Sequence, residues 1–357
     1  MSRIDAFLEL LVRQQGSDLH LISGNRPHVR LFGEIMPVKY RELTVEETRE
    51  LVEEIMPQPL IARLKEHGNV DFAYEVPDLS RFRVNVFHHV NGIGAVFRGI
   101  PSRVQTLDEL GFPPVLRQLA RSRKGLYLVT GPTGSGKSTT LAAVVDFLNS
   151  ERQGHIITIE DPIEFVHSNR NCLVSQREVG HHTKSFAAAL RSTLREDPNV
   201  ILVGEMRDLE TIHLAVTAAE MGILVLGTLH TNGAAATVDR IINVFPPGEE
   251  PYIRTMLSTS LVGIVSQQLV RTSDNRGRTA ALEIMTMNAA VANIIREGKT
   301  DQLDNVIQSG GLQGMQSIDT ALRRLMDAKV ITGDEAYLKA RNKANFERYR
   351  EEQLPEL

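Results

Sequence analysis

The first hundred residues space their apolar positions as amphipathic helices and short strands do. The opening segment, MSRIDAFLELLVRQQGSD, interrupts its apolar run with Asp5, Glu9 and Arg13. This pattern predicts an amphipathic helix and not a secretion signal. Short strands are predicted in DLHLI and in HVRLFGEIMPV, with a turn near Gly33 and Glu34.

A helix start is predicted at Thr44, because Glu47 follows three residues later in a capping-box pattern. In such a box the threonine hydroxyl accepts from a free backbone N–H, and the glutamate reaches back to the first residue. We expect this helix to run to about Met56 and to end there, because Pro57 and Pro59 follow.

Three further strands, VDFAYEV, RFRVNVFHHV and IGAVFRGI, complete this part of the chain. The second strand alternates strictly, with Phe82, Val84 and Val86 on one face and polar residues on the other. One face is therefore predicted to be buried, and residues 1–100 are predicted to form a compact α+β module.

A different pattern begins after the proline-flanked segment PSRVQTLDELGFP, which we interpret as a linker over residues 101–113. The short apolar runs LYLVT, HIITI, VILV and LVLGTL then alternate with helical segments. Such continuous apolar strands are typical of a parallel sheet buried on both faces. We therefore expect an α/β core over residues 114–287. Residues 288–357 are predicted to be helical only, ending in a charged, fraying helix, RNKANFERYREEQLPEL.

Composition and charge narrow the possible functions. The net charge of −4 and pI near 6.3 provide no global positive field that would favour nucleic acid as a partner. No run approaches the roughly 18 apolar residues of a membrane-spanning helix. The only cysteine, Cys172, excludes an internal disulfide and a cysteine-cluster zinc site, and it fits a reducing cytosol.

The strongest chemical signal is a P-loop motif between the strand LYLVT and the helical segment TTLAAVVDFLN. Its candidate ATP-binding residues are Gly131, Pro132, Thr133, Gly134, Ser135, Gly136, Lys137, Ser138 and Thr139. The glycines let backbone N–H groups and the helix N-terminus point at phosphate oxygens. Lys137 is expected to contact the β- and γ-phosphates, and Ser138 is expected to ligate Mg²⁺.

Three other predicted strands end in polar side chains at the edge where ligands bind in such sheets. TIEDPIE contributes Glu160, and ILVGEMRD contributes Glu205, which is placed to polarise a water for attack on the γ-phosphate. GTLHTN contributes His230, which could sense the γ-phosphate or hydrogen-bond Glu205. Taken singly, these residues could also be an acidic turn, a helix cap or ion-pair partner, and a structural histidine. Gly204 stands where an Asp that holds magnesium is commonly found.

Together, GPTGSGKS, TIEDPIE, ILVGEMRD and GTLHTN, in this order and spacing, resemble the secretion and type IV pilus ATPases. The finer resemblance is to their pilus retraction (PilT) branch, carried by GSDLHL, SQREVG, LREDPNVILVGEMRDLET, AVANIIREGKT and GMQSID. It extends from about Ile4 to Ala340. Two positions depart from the family pattern, Ile223 where a second histidine is frequent and Ala292 where the branch has an arginine.

The resemblance implies a PAS-like N-terminal module joined to a RecA-like P-loop ATPase domain, with a helical C-terminal tail. It implies a homohexamer in which each ATP lies between the two domains of a subunit. It also implies that Arg83 and Arg98 help to neutralise the γ-phosphate; strand arginines are otherwise commonly solvated or ion-paired. Because a glycine precedes Glu205 in this family, Ser138 becomes the direct Mg²⁺ ligand, with Glu160 and Glu205 acting through water.

These features predict a cytoplasmic ATP-hydrolysing motor that retracts type IV pili in twitching motility. It would be peripheral to the inner face of the cytoplasmic membrane, would act on an inner-membrane platform protein and would not bind nucleic acid. The alternatives are an accessory nucleotide-binding subunit that depends on a paralogous retraction motor, a DNA or RNA translocase, and a pilus assembly or secretion ATPase. The last two are disfavoured by the net negative charge and by the short chain without a four-cysteine site.

Overall fold

The computed structural model of the 357-residue chain describes residues 2–31, 33–77, 79–100, 103–274 and 276–350. The chain divides into two compact units, Met1–Arg103 and Val104–Leu357. The division falls at the start of the predicted linker. Residues 101–102 of that linker, and residues 351–357 of the predicted terminal helix, lie outside the described residues.

The first unit is an α+β module built on a six-stranded antiparallel sheet. Its strands are β1 (Asp18–Ile22), β2 (His28–Leu31), β3 (Glu34–Pro37), β4 (Asn69–Val76), β5 (Ser80–His89) and β6 (Gly92–Ile100), in the order β3-β2-β1-β6-β5-β4. Its helices are α1 (Asp5–Arg13), α2 (Val45–Glu53) and α3 (Gln58–His67). The predicted alternation on β5 is confirmed, because Phe82, Val84 and Val86 are buried.

The helices of this unit confirm one prediction and correct another. Both hydrogen bonds of the capping box form between Thr44 and Glu47, at the start of α2. The expected end of that helix near Met56 was wrong, because α2 ends at Glu53 and a further helix, α3, follows Pro57. Pro59 lies in the first turn of α3, where its missing N–H and fixed φ favour helix initiation.

The second unit contains a seven-stranded sheet in the order β13-β12-β7-β11-β10-β8-β9. Its strands are β7 (Gly125–Thr130), β8 (Gly154–Glu160), β9 (Cys172–Glu178), β10 (Val200–Val203), β11 (Leu224–Leu229), β12 (Leu261–Arg271) and β13 (Arg278–Thr286). Six neighbouring strands of this sheet run parallel to one another, namely β9, β8, β10, β11, β7 and β12. The edge strand β13 pairs with β12 in the antiparallel direction. The predicted parallel arrangement of β7, β8, β10 and β11 is confirmed, whereas β9, β12 and β13 were not predicted.

Helices cover the sheet of the second unit and continue after it. They are α4 (Val115–Ala120), α5 (Lys137–Glu151), α6 (Phe186–Thr193), α7 (Leu209–Glu220), α8 (Ala234–Ile242), α9 (Glu250–Ser260), α10 (Ala289–Glu297), α11 (Leu303–Ser309), α12 (Ile318–Asp327) and α13 (Gly333–Lys339). Separate apolar clusters include residues from alternate positions of β7, with Leu126 and Leu128 in one and Tyr127 and Val129 in the other. This double burial explains the continuous apolar strands.

The end of the described chain differs from the fraying helix expected there. Residues 341–350 contain two short 3₁₀ turns, Lys343–Asn345 and Glu347–Tyr349. Phe346 is buried in a cluster with Leu322 and Ile331. This contact anchors residues 341–350 to the rest of the unit. The charged composition of the segment led to the prediction of a solvated helix, although Phe346 belongs to the core. Among the described helices, none is long and apolar enough to cross a membrane.

The sheet order brings the predicted functional motifs to one place. Strands β7, β11, β10 and β8 are consecutive neighbours and parallel, so their carboxyl ends share one edge. The P-loop follows β7, His230 follows β11, Glu205 follows β10 and Glu160 ends β8. The topology therefore collects residues separated by up to a hundred positions.

Candidate nucleotide-binding and hydrolysis site

The P-loop connects β7 to the N-terminus of α5, as the sequence predicts. Gly131, Gly134 and Gly136 have φ values of 140°, 77° and 86°, in the region that favours glycine. A Cβ at Gly131 would lie 2.2 Å from the Gln267 carbonyl oxygen, so no side chain fits there. These glycines allow a tight loop whose backbone N–H groups can face an anion.

The other loop residues occupy distinct positions. Pro132 and Thr133 are exposed, as is Gly134, whereas Ser135 is buried. Ser138 and Thr139 are half-buried in the first turn of α5. The hydroxyl of Ser138 therefore belongs to a helix N-terminus that carries partial positive charge, next to a place where phosphate and a cation can bind.

The side chain of Lys137 is directed into the loop. Its Nζ donates to the carbonyl oxygens of Gly131 at 2.8 Å and Pro132 at 3.1 Å. Burial lowers its pKa below the ordinary value, and the negative charges of Glu205 and Glu164 oppose part of that effect. The ammonium thus lies inside the loop, where it is close to the position that a bound phosphate would take.

Gln267, on β12, supports the loop and was missed by the sequence reading. Its side chain is 2% exposed. Nε2 donates to the Ser135 carbonyl at 2.5 Å, and Oε1 accepts from the Thr140 hydroxyl at 2.7 Å. One buried amide therefore joins the loop to the first turns of α5. No motif marked this residue, because its position depends on β12 pairing with β7.

Glu160 lies at the carboxyl end of β8. Its Oε1 accepts hydrogen bonds from Thr158 Oγ1 at 2.6 Å and from Gln176 Nε2 at 3.3 Å. Burial raises the pKa of Glu160 to about 7, although both hydrogen bonds act in the opposite direction. The carboxyl group can therefore change its charge near neutral pH.

The residue before Glu205 fits the space available to it. A Cβ at Gly204 would lie 3.1 Å from the Ile159 carbonyl oxygen and 3.2 Å from Glu160 Cα. Both neighbours are backbone atoms of β8 and cannot rotate away. An Asp at this position would therefore need β8 to move by a few tenths of an ångström, and glycine avoids this close contact.

Glu205 follows directly and is held from two sides. Arg207 donates to both carboxylate oxygens through Nε and a terminal nitrogen, and His230 Nε2 lies 2.9 Å from Oε1. Burial alone would raise the pKa of Glu205, but the Arg207 hydrogen bonds and the adjacent His230 outweigh it and hold the pKa below its ordinary value. The sequence placed His230 correctly as a candidate partner and overlooked Arg207.

His230 also reaches the P-loop. Its Nδ1 lies 3.4 Å from Thr133 Oγ1, while Nε2 faces Glu205. A neutral ring that donates from Nε2 to the carboxylate leaves Nδ1 to accept from the threonine hydroxyl. His230 therefore lies between the phosphate-binding loop and the acidic residue and contacts both.

Arg83 and Arg98 belong to the first unit, where they are paired across β5 and β6. Arg98 Nε donates to Asp18 Oδ1 at 2.8 Å, and Arg83 Nε lies 3.7 Å from Asp71 Oδ1. The side chain of Arg98 is 67% exposed and that of Arg83 is 47% exposed. Both arginines are thus ion-paired and accessible on one face of the sheet.

The second unit satisfies the chemical requirements of a nucleotide with a hydrated cation. It offers a glycine cradle, a buried lysine, a hydroxyl at the start of α5, and two carboxyl groups at neighbouring strand ends. Within the described ranges, no group of three or more His, Cys, Asp or Glu residues could hold a metal ion by itself. Magnesium prefers few protein ligands and several waters, with phosphate oxygens completing its shell.

Comparison with known proteins agrees with this geometry. A family model described as type II/IV secretion system protein matches residues 4–350. The chain is 49% identical over 343 residues to the type IV pilus retraction ATPase PilT of Pseudomonas aeruginosa, covering 96% of this chain and 99% of that protein. It is 50% identical over 316 residues to a twitching motility protein of Neisseria gonorrhoeae, with coverage of 88% and 84%.

The fold is also similar to that of a solved structure. The crystal structure of the pilus retraction motor PilT with bound ADP matches with a TM-score of 0.91 at 42% identity, covering 98% of this chain and 99% of that one. The nucleotide named for that structure is consistent with the P-loop described above. Since the family model and these relatives span nearly the whole chain, it belongs to the type II/IV secretion system protein family, in the branch of the PilT type IV pilus retraction ATPases.

Proposed function

We propose that this chain is an ATP-hydrolysing motor that powers type IV pilus retraction, and hence twitching motility. The observation that carries the proposal is the 49% sequence identity, over nearly the full length of both chains, to a protein named as a retraction ATPase. The hydrogen-bonded chain Thr133–His230–Glu205 beside Lys137 supports the hydrolysis part of the proposal independently, because it supplies a base next to a phosphate cradle.

In the proposed mechanism, Lys137 and the loop N–H groups bind the phosphates of ATP. Glu205 accepts a proton from the attacking water, and His230 holds the carboxylate in position relative to the loop. Ser138 would hold Mg²⁺ directly, with Glu160 and Glu205 contributing through water; the ion, when bound, neutralises phosphate charge. Arg83 and Arg98 are assigned to the charge that develops on the γ-phosphate, a role worth about 10³–10⁵ in rate for a well-placed arginine.

Arg207 adds a constraint to this mechanism. A carboxylate that accepts two hydrogen bonds from a guanidinium is a weak base. We therefore propose that Arg207 withdraws from Glu205 when the site becomes active. Such withdrawal would increase the basicity of Glu205 only when ATP and water are in place, which limits hydrolysis at other times.

The assembly and location are also part of the proposal. We expect a homohexamer, in which the N-terminal module has a PAS-like fold and the second unit a RecA-like fold. The motor would work in the cytoplasm at the inner face of the cytoplasmic membrane, on a pilus platform protein, with a paralogous retraction ATPase as a further partner. Nucleic acid is not expected to bind.

The decisive experiment is deletion of the gene followed by complementation. Wild type, Lys137→Ala and Glu205→Ala are compared for surface pilus number and twitching motility. Retraction predicts hyperpiliated, non-motile cells that only the wild type rescues. Cells without pili would instead identify an assembly ATPase. Unchanged pili and motility would overturn the proposal.

A second assay separates a motor from an accessory subunit. Purified wild type should hydrolyse ATP, and Glu205→Ala should bind nucleotide without turnover. Normal ATP binding by a wild type that lacks turnover would favour an accessory subunit that depends on a paralogous motor. Hydrolysis that requires added DNA would favour a translocase.

A further inference from the structure

Residues 231–233 connect His230 to α8, and two buried side chains of the strands β12 and β13 hold the end of this connection and the first residue of the helix. Ser266 Oγ on β12 accepts from the Gly233 N–H at 2.8 Å, and Glu283 Oε1 on β13 accepts from the Ala234 N–H at 2.9 Å. Ser266 and Glu283 are directly paired in the β12–β13 ladder. The first N–H groups of α8 are thus bound by the sheet and not by a local cap.

Glu283 is 1% exposed, so its carboxylate needs a compensating charge. Arg341, which follows α13, supplies it, since a terminal nitrogen lies 3.1 Å from Glu283 Oε2. The other terminal nitrogen donates to Asp304 Oδ1 at 2.8 Å. The Arg341 backbone N–H donates to Asp319 Oδ1 at 2.7 Å, and this hydrogen bond holds the backbone from which the arginine side chain extends.

The guanidinium also occupies the space beside Gly233. A Cβ at Gly233 would lie 2.6 Å from a terminal nitrogen of Arg341 and 3.3 Å from Glu283 Oε1. Gly233 has a φ of 100°, which a side chain would strain. The C-terminal region therefore contacts the segment that begins directly after His230, through one ion pair in a closely packed place.

We propose that Glu283 and Arg341 form a positioning pair that fixes residues 231–234, and through them sets His230 against Glu205. The inference rests on the proposed ATPase function for its kinetic part. It assigns the C-terminal region a contribution to hydrolysis: whatever displaces Arg341 releases the N-terminus of α8 and shifts His230. Neither residue touches the nucleotide in this proposal, and neither is a catalytic residue.

The test compares Arg341→Gln, Glu283→Gln and the double variant in the full-length protein. Arg341→Gln leaves a buried carboxylate unpaired, and we expect kcat to fall about tenfold with the KM for ATP nearly unchanged. Removing both charges restores a neutral pair, so the double variant should recover most of kcat. Arg323→Gln is the matched control, because Arg323 pairs with Asp327 on the surface of α12.

Hydrogen exchange of the peptide that covers residues 231–242 provides a readout independent of turnover. We expect faster exchange in Arg341→Gln, and exchange near the wild-type rate in the double variant and in Arg323→Gln. Unchanged exchange, or a loss of thermal stability with unchanged kcat, would overturn the positioning role. A wild type without turnover would refute the proposed function, while the exchange result would still decide whether the pair fixes the segment.

Discussion

His230 Nε2 lies 2.9 Å from Glu205 Oε1, and Arg207 binds the same carboxylate through two nitrogens. The acidic residue that follows β10 therefore has two partners, one that contacts the P-loop and one exposed to solvent. Arg207 has 74% of its side chain exposed, so it can move away without disturbing the core. This arrangement makes separate tests of the base, its orientation and its basicity possible.

Replacement of Glu205 by Gln removes the proposed base and keeps the shape of the side chain. We expect kcat to fall by about 10²–10⁴ while ATP binding is retained, because general base catalysis contributes that much. Steady-state hydrolysis and nucleotide binding by calorimetry measure the two effects. Glu220→Gln, an exposed change at the end of α7, is the control. Retention of turnover by Glu205→Gln would exclude Glu205 as the base.

Loss of Arg207 should change the pH dependence of hydrolysis. Burial raises the pKa of Glu205 and Arg207 opposes this effect, so Arg207→Gln should move that pKa upward. Glu205 must be ionised to accept a proton, and the acid limb of the kcat/KM profile, which reports the nucleotide-free protein in which Arg207 is bound, should therefore move toward neutral pH. A pH profile of kcat/KM for ATP measures the shift. An unchanged acid limb would mean that Glu205 does not limit the rate there.

Glu160 should destabilise the fold when it ionises. Its pKa is about 7 in the folded protein against an ordinary value of 4.5, because burial disfavours the charged form. Stability from this group is therefore present below pH 4.5 and is lost as pH rises to about 7. In the absence of nucleotide and metal, Glu160→Gln should raise the melting temperature above pH 7, by about 2–4 °C per kcal/mol recovered. An equal effect at low pH would contradict this explanation.

A side chain at position 204 should strain the contact between β10 and β8. Gly204→Ala places Cβ 3.1 Å from the Ile159 carbonyl oxygen, and we expect the free energy of unfolding to fall by about 1–3 kcal/mol. Gly311→Ala is the control, because a Cβ there has no heavy atom within 4 Å. Urea unfolding of both variants measures the difference. Equal stability of the two would show that the glycine is not required for packing.

Removal of the Gln267 amide should weaken nucleotide binding more than it weakens the fold. Gln267→Leu leaves the Ser135 carbonyl and the Thr140 hydroxyl without their buried partner, a loss of about 1–3 kcal/mol. If the loop absorbs this loss, ADP affinity should fall by about tenfold or more. Gln268→Leu, one residue along β12, is the matched control. Unchanged ADP affinity would show that the loop holds its shape without Gln267.

The sequence by itself determined the elements whose causes are local. Continuous apolar runs predicted β7, β8, β10 and β11, because strands covered on both faces need apolar residues at every position. The capping box predicted the start of α2, since its two hydrogen bonds involve residues three apart. The P-loop, Glu205 and His230 could be predicted as candidate site residues because their motifs follow apolar strands, and the sheet order brings them to one edge.

Only the tertiary structure decided which distant residues meet. Strands β12 and β13 contain buried polar residues such as Gln267 and Glu283, and such residues are favourable only where partners from other elements reach them. The contact of Glu205 with His230 and the partners of Gln267 and Glu283 follow from strand order and register, which local patterns do not specify. The motifs thus predicted the candidate site residues, while the hydrogen bonds and ion pairs that hold those residues in place depend on packing across the whole sheet.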